Sequence, residues 1–218
     1  MDRKHQVHNL IILDESGSME AIKKTIIEGF NELVQTIKGI EQKFPDQEHY
    51  ISFISFNGLG IKEHHFNEKA SKMGMIDQSN YNPDANTPLF DAMGFSINKL
   101  KNVLKDQTNY NVLVTILTDG EENASMEFSG KAIKNLIEEL KQNKWTFTYI
   151  GTDHDIEKIA NEISIVNILS FKKTERDIES MFLEEGVRRY KYNRKIQANE
   201  DTVSNYFEDT ESEDSKKA

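Results

Sequence analysis

The chain alternates short aliphatic runs, too brief to form helices, with longer segments whose apolar residues recur at helical spacing. This alternation limits its possible folds more than any other feature. Val7–Leu13 is continuously apolar toward its end, stops at Asp14, and reads as a strand buried on both faces. Behind it Ile22, Ile26, Ile27, Phe30, Leu33, Val34 and Ile37 fall three and four apart, which predicts an amphipathic helix from about Glu20 to Lys38. Gly39 and Pro45 then mark a connection. His49–Phe56 alternates like a strand, Asn57-Gly58-Leu59-Gly60 signals a turn, and Ile61–Phe66 can return antiparallel. A polar, irregular stretch from Ser71 to Asn86 precedes a second helix marked by Leu89, Ala92, Met93, Leu100, Val103 and Leu104, with Pro88 in its first turn. Asn111–Thr118 is a strand as apolar as the first. Ala132, Ile133, Leu136, Ile137 and Leu140 mark a third helix, and Trp145–Ile150 a further strand. A short helix at Ile156–Glu162, a strand at Ile165–Phe171 and a helix at Glu175–Tyr192 complete the series.

Strands alternating with helices, plus one hairpin, predict an α/β fold. The expected architecture is a doubly wound, mostly parallel six-stranded sheet in the order 3-2-1-4-5-6, with one antiparallel edge strand and helices on both faces. Such sheets bind ligands beyond the carboxyl ends of their strands, where the strand order reverses. That switch point lies between strands 1 and 4, which end at Leu13 and Thr118.

Composition removes several alternatives. The 218 residues carry 27 Lys plus Arg against 37 Asp plus Glu, a net charge of −10. A basic nucleic-acid footprint is therefore missing, and no nucleic-acid partner is expected. The absence of cysteine excludes disulfides, thiolate catalysis and cysteine-based zinc sites. The sequence has neither a signal-peptide pattern nor an apolar stretch of about 20 residues, so the expectation is a cytoplasmic protein with no membrane association. From Lys195 the periodicity fails, and Gln197–Ala218 holds seven acidic residues and two lysines. The expected organisation is one domain over residues 1–194 and an acidic, disordered tail over 195–218.

The residues just past strands 1 and 4 are Asp14-Glu15-Ser16-Gly17-Ser18 and Asp119-Gly120-Glu121. Asp14, Ser16 and Ser18 alternate and can converge if the loop curls. Asp119 adds a second carboxylate, and Thr87, at the end of the irregular loop, a third hydroxyl. Carboxylate and hydroxyl oxygens are hard ligands suited to Mg²⁺ or Mn²⁺.

Here the sequence resembles the von Willebrand factor type A (VWA) domains. Their metal-ion-dependent adhesion site (MIDAS) combines Asp-x-Ser-x-Ser after strand 1, a later loop Thr, and Asp-Gly after strand 4. Those elements match Asp14, Ser16 and Ser18, then Thr87, then Asp119 with Gly120. The resemblance extends over roughly Val7–Tyr192. Phe30-Asn31-Glu32, Thr118-Asp119-Gly120-Glu121-Glu122-Asn123-Ala124-Ser125 and Tyr149-Ile150-Gly151 are similar to small intracellular bacterial and phage members. One departure is Asn86, where many relatives have Gly. The resemblance implies a Rossmann-like sheet and a divalent cation held by Asp14, Ser16, Ser18, Thr87 and Asp119. It also implies a protein-binding, adhesion or scaffold function in which the cation captures a Glu or Asp of a partner protein, without enzymatic turnover.

The alternative is a Mg²⁺-dependent phosphohydrolase or transferase on the same kind of sheet. A haloacid-dehalogenase-type phosphatase needs a second aspartate where Ser16 stands, and neither a P-loop nor a dinucleotide fingerprint follows strand 1. Of the six histidines only His154 lies near a strand's carboxyl end, between Asp153 and Asp155, and it reads as a solvated loop residue. Glu121-Glu122 reads either as a solvated rim of the crevice or as a selector against acidic partners away from the metal.

Overall fold

The computed structural model of the chain describes residues 4–152 and 156–208. Six strands form one sheet: β1 (His5–Asp14), β2 (Gln47–Asn57), β3 (Gly60–Lys69), β4 (Tyr110–Thr118), β5 (Trp145–Thr152) and β6 (Asn167–Phe171). Their order is β3-β2-β1-β4-β5-β6; β2 and β3 pair antiparallel and every other pair is parallel. The sheet has the expected order and its single antiparallel edge. Five α-helices flank it: α1 (Lys23–Lys43), α2 (Leu89–Leu104), α3 (Gly130–Lys141), α4 (Ile156–Glu162) and α5 (Glu175–Ala198).

The continuous apolar runs are explained by two cores, one on each face. Leu10 and Ile12 of β1 point into a cluster with α2, α3 and α4, while Ile11 and Leu13 point into another with α1 and α5. Burying each such side chain stabilises by about 1.5–3 kcal/mol, so a central strand has no polar face to offer. α1 and α5 pack so closely that a Cβ on Gly29 would lie 2.0 Å from the Phe182 ring.

Several boundaries differ from expectation, each for a packing reason. α1 continues through Gly39 to Lys43 because Ile40 and Phe44 extend its buried stripe. Its start is delayed, since Gly17–Ile22 forms a 3-10 turn. β6 begins at Asn167 rather than Ile165, whose backbone N–H instead closes the end of α4 on Ala160.

The chain beyond Lys195, expected to be solvated, is anchored to the domain at Ile196, Thr202 and Tyr206, with most of the described residues between them exposed. α5 runs to Ala198 and ends on Asn199 in the left-handed conformation (φ 55°), which asparagine tolerates. The Thr202 hydroxyl accepts from Asn111 Nδ2 at 3.0 Å, its carbonyl accepts from Thr146 Oγ1 at 2.8 Å, and Tyr206 is buried with Val7, Leu113 and Tyr192. Acidic composition concealed a few anchors spaced along an otherwise polar segment. Residues 209–218, like His154, lie outside the described residues. Among the described residues no helix is long and apolar enough to cross a membrane.

Candidate metal centre

Asp14 is the last residue of β1 and Thr118 the last of β4, and parallel pairing sets them side by side. The Thr118 hydroxyl donates to Asp14 Oδ2 at 2.6 Å, and the Ser16 backbone N–H donates to Asp14 Oδ1 at 2.7 Å. The carboxylate is fully buried. Burial pushes its pKa up to about 6, an effect reinforced by the neighbouring Asp119 charge and opposed by the Thr118 and Ser16 hydrogen bonds. Tyr81 Oη donates to the Asp14 carbonyl at 2.7 Å, tying the irregular loop to the strand end.

That loop is laid directly on the β1 turn. Gly17 N–H donates to the Ala85 carbonyl at 3.0 Å and Asp84 N–H to the Glu15 carbonyl at 2.9 Å. Ala85, at φ 59°, holds the left-handed position, so Asn86 needs no glycine-like backbone. Gly58 is required for a different reason: a Cβ there would lie 2.9 Å from Asn86 N. Glu15, also fully buried, accepts from Ser55 Oγ (2.5 Å), Asn82 N–H (2.5 Å) and Lys62 Nζ (2.6 Å). Its charge is fully used in holding the loop.

The oxygens of three loops converge above Gly120. The position a Cβ would take on that glycine is 3.0 Å from Thr87 Oγ1 and 3.7 Å from both Asp14 Oδ2 and Ser18 Oγ. Ser18 Oγ donates to Asp119 Oδ1 at 2.5 Å and lies 3.1 Å from Ser16 Oγ. All five predicted side chains therefore meet in one cradle, with Ser18 at its solvent-exposed mouth. Among the described residues Asp119 Oδ2 is buried without a hydrogen bond, although Lys173 Nζ forms an ion pair with it at 2.8 Å. Among the described residues no group of three or more His, Asp or Glu is arranged to hold a metal. The candidate is a mixed set of two carboxylates and three hydroxyls. It fits a small hard cation by donor chemistry and by the convergence of the Thr87, Asp14 and Ser18 oxygens above Gly120.

The family model for the von Willebrand factor type A domain matches residues 10–183. The chain belongs to the VWA domain family. Among solved structures, the SpRpn10 VWA domain superposes with a TM-score of 0.52 at 9% identity, covering 82% of this chain and 94% of that one. The pilus adhesin SpaC from Lactobacillus rhamnosus GG, in its open conformation, superposes with a TM-score of 0.59 at 13% identity. That match covers 87% of this chain but only 30% of SpaC. No curated protein sequence matches this chain significantly. At these identities the two structures support the fold, and the family supports a protein-interaction module.

Several residues that build the VWA crevice escaped the sequence reading. Glu122 is half-buried and accepts from the N–H groups of Phe90, Ala124 and Ser125. It is neither a solvated rim nor a selector. Asp91 accepts from Met126, Glu127 and Phe128 N–H at 2.8–2.9 Å. Asn123 Oδ1 accepts from Thr87 N–H, and Asn123 N–H donates to the Thr87 carbonyl. Together they stitch the β4–α3 loop onto the start of α2, which sets the height of Thr87. The tract Glu122–Ser125, with acceptors beside small residues, was the available signal. Lys173 had none, since only the pairing of β6 with β5 brings it to Asp119.

Proposed function

We propose that this VWA domain binds one Mg²⁺ or Mn²⁺ through Asp14, Ser16, Ser18, Thr87 and Asp119, and uses it to bind a Glu or Asp side chain of a partner protein. The observation that carries the reading is the convergence of Thr87, Asp14 and Ser18 oxygens within 4 Å of one point above Gly120. When bound, the cation supplies an electrophilic position that an outside carboxylate can fill. The chain's own residues do the rest. Thr118 and the Ser16 N–H orient Asp14, and the hydrogen bond between Ser18 and Asp119 joins the two strand-end loops. The three hydroxyls add donors without adding negative charge, so an acidic partner is not repelled by a wholly anionic site. The role is binding, with no substrate turned over.

Asp14→Ala tests this reading. Adding Mg²⁺ at 100 times its Kd should stabilise the wild-type protein by about 2.7 kcal/mol, and the variant should show no such gain. Partner binding should be present in Mg²⁺ and lost both in chelator and in the variant. Undiminished binding by Asp14→Ala, or equal binding by the wild type in chelator, would overturn the metal-bridged mechanism.

A further inference from the structure

Glu15 and Asp119 are both buried carboxylates at the crevice, and each meets one lysine. Their surroundings differ. Glu15 also receives Ser55 Oγ and Asn82 N–H, so Lys62 is one of several partners. Among the described residues, Asp119 Oδ2 meets the Lys173 ammonium at 2.8 Å, without the alignment of a hydrogen bond. The Asp119 carboxylate is the same group proposed above to hold the divalent cation.

We infer that Lys173 is an internal cation that occupies Asp119 and competes with the divalent ion for it. This inference rests on the metal reading and specifies how that site is regulated. A divalent ion in the cradle and an ammonium on Asp119 repel one another at close range, and partial burial weakens the screening by water. Each therefore weakens the other's hold on Asp119. The architecture lets the lysine leave. Lys173 lies between the end of β6 at Phe171 and Thr174, whose side chain caps α5, and Thr174 N–H donates to the Lys172 carbonyl at 2.7 Å. Its backbone is pinned at both ends. The side chain remains about one-third exposed, so its flexible stem can swing into solvent without moving an element of the fold.

With Lys173 docked, one of the two facing carboxylates is neutralised, which stabilises the metal-free crevice against repulsion between Asp14 and Asp119. Metal loading releases an ammonium at the rim beside the partner-binding position. Lys173 thereby sets the Mg²⁺ concentration at which the site switches.

The test is Mg²⁺ titration by calorimetry, together with thermal denaturation in EDTA, on the full chain. The variants are Lys173→Met, Lys173→Gln and Lys173→Arg. The two neutral variants should bind Mg²⁺ at least tenfold more tightly than the wild type and melt at a lower temperature in EDTA. Lys173→Arg should stay close to the wild type. A merely structural ion pair would lower the melting temperature without tightening Mg²⁺ binding. Unchanged or weaker Mg²⁺ binding in the neutral variants, with Asp14-dependent binding intact in the wild type, overturns this inference alone. Absence of any Mg²⁺ response in the wild type and all three variants overturns both this inference and the metal site.

Discussion

β1 and β4 carry two buried charged clusters, one midway along the strands and one at their carboxyl ends. In the first, Arg189 donates to Asn9 Oδ1 and Thr115 Oγ1 at 2.6 Å, and its guanidinium lies 2.9 Å from Glu185 Oε1. Both charged side chains are about 1% exposed, and one cation meets one anion. In the second, Asp14 and Asp119 face one lysine among the described residues, Lys173, which is one-third exposed. The inner cluster is neutral and closed to solvent. The outer one carries an excess carboxylate at a mouth open to solvent, which suits a cation arriving from outside. Burial alone therefore does not distinguish a structural polar cluster from a binding site. The internal charge balance does.

The strongest way to break this comparison is to remove the inner cation. Arg189→Met leaves Glu185 buried and uncompensated, and should lower unfolding free energy by about 3–5 kcal/mol in chemical denaturation. A loss below about 1 kcal/mol would mean that the inner cluster is no more structural than the outer one.

Acid should act on the inner half as well. Burial, reinforced by Arg189, His8 and His5, holds the His49 pKa down at about 3. Burial and His5 hold that of His8 at about 4, against a hydrogen bond to Asn67 that raises it. In the unfolded chain both take up a proton below about pH 6.5, whereas in the folded chain they stay neutral until near their lowered values. The contribution of the two histidines is therefore greatest above pH 6.5 and falls as the pH drops toward 4, with a slope approaching about 1.4 kcal/mol per pH unit for each, while Asp14, whose folded pKa is raised to about 6, contributes with the opposite sign between about pH 4 and 6. Urea unfolding at several pH values should show the histidine contribution, and His49→Gln should remove up to about 1.4 kcal/mol per pH unit from the wild-type slope between about pH 4 and 6.

The smallest change is aimed at the outer site. Gly120→Ala places a methyl group 3.0 Å from Thr87 Oγ1, in the space where the three loops converge. Thr87 must give by a few tenths of an ångström, so stability in chelator should change by less than about 1 kcal/mol. The Mg²⁺-induced rise in melting temperature should nevertheless disappear. A retained rise would place the metal response elsewhere in the molecule.

Much of the fold was legible because the central strands are buried on both faces, leaving the run Asn9–Leu13 no polar alternation to hide behind. Four of the five candidate site residues were legible because they lie at or just past the ends of two strands that a doubly wound sheet sets side by side, and Thr87 because it ends the irregular loop before α2. Lys173 and Tyr206 were not. Lys173 lies 54 residues from Asp119, and nothing local distinguishes it from the solvated Lys172 beside it. Tyr206 stands in an acidic segment whose average composition predicts solvation, although one aromatic and a few backbone hydrogen bonds are enough to dock it.

The sequence by itself pointed to the doubly wound sheet, through its alternation of strands and helices, and to a candidate donor set, through the residues that follow β1 and β4 and through Thr87 at the end of the irregular loop. Tertiary structure alone decided three things: that Glu122 and Asp91 anchor a loop, that Asp119 Oδ2 lacks a hydrogen bond among the described residues, and that a lysine just past the end of β6 meets it. The reason is physical. Periodicity reports which face of an element is buried, whereas the pairing of a buried charge depends on side chains from segments that no local pattern connects.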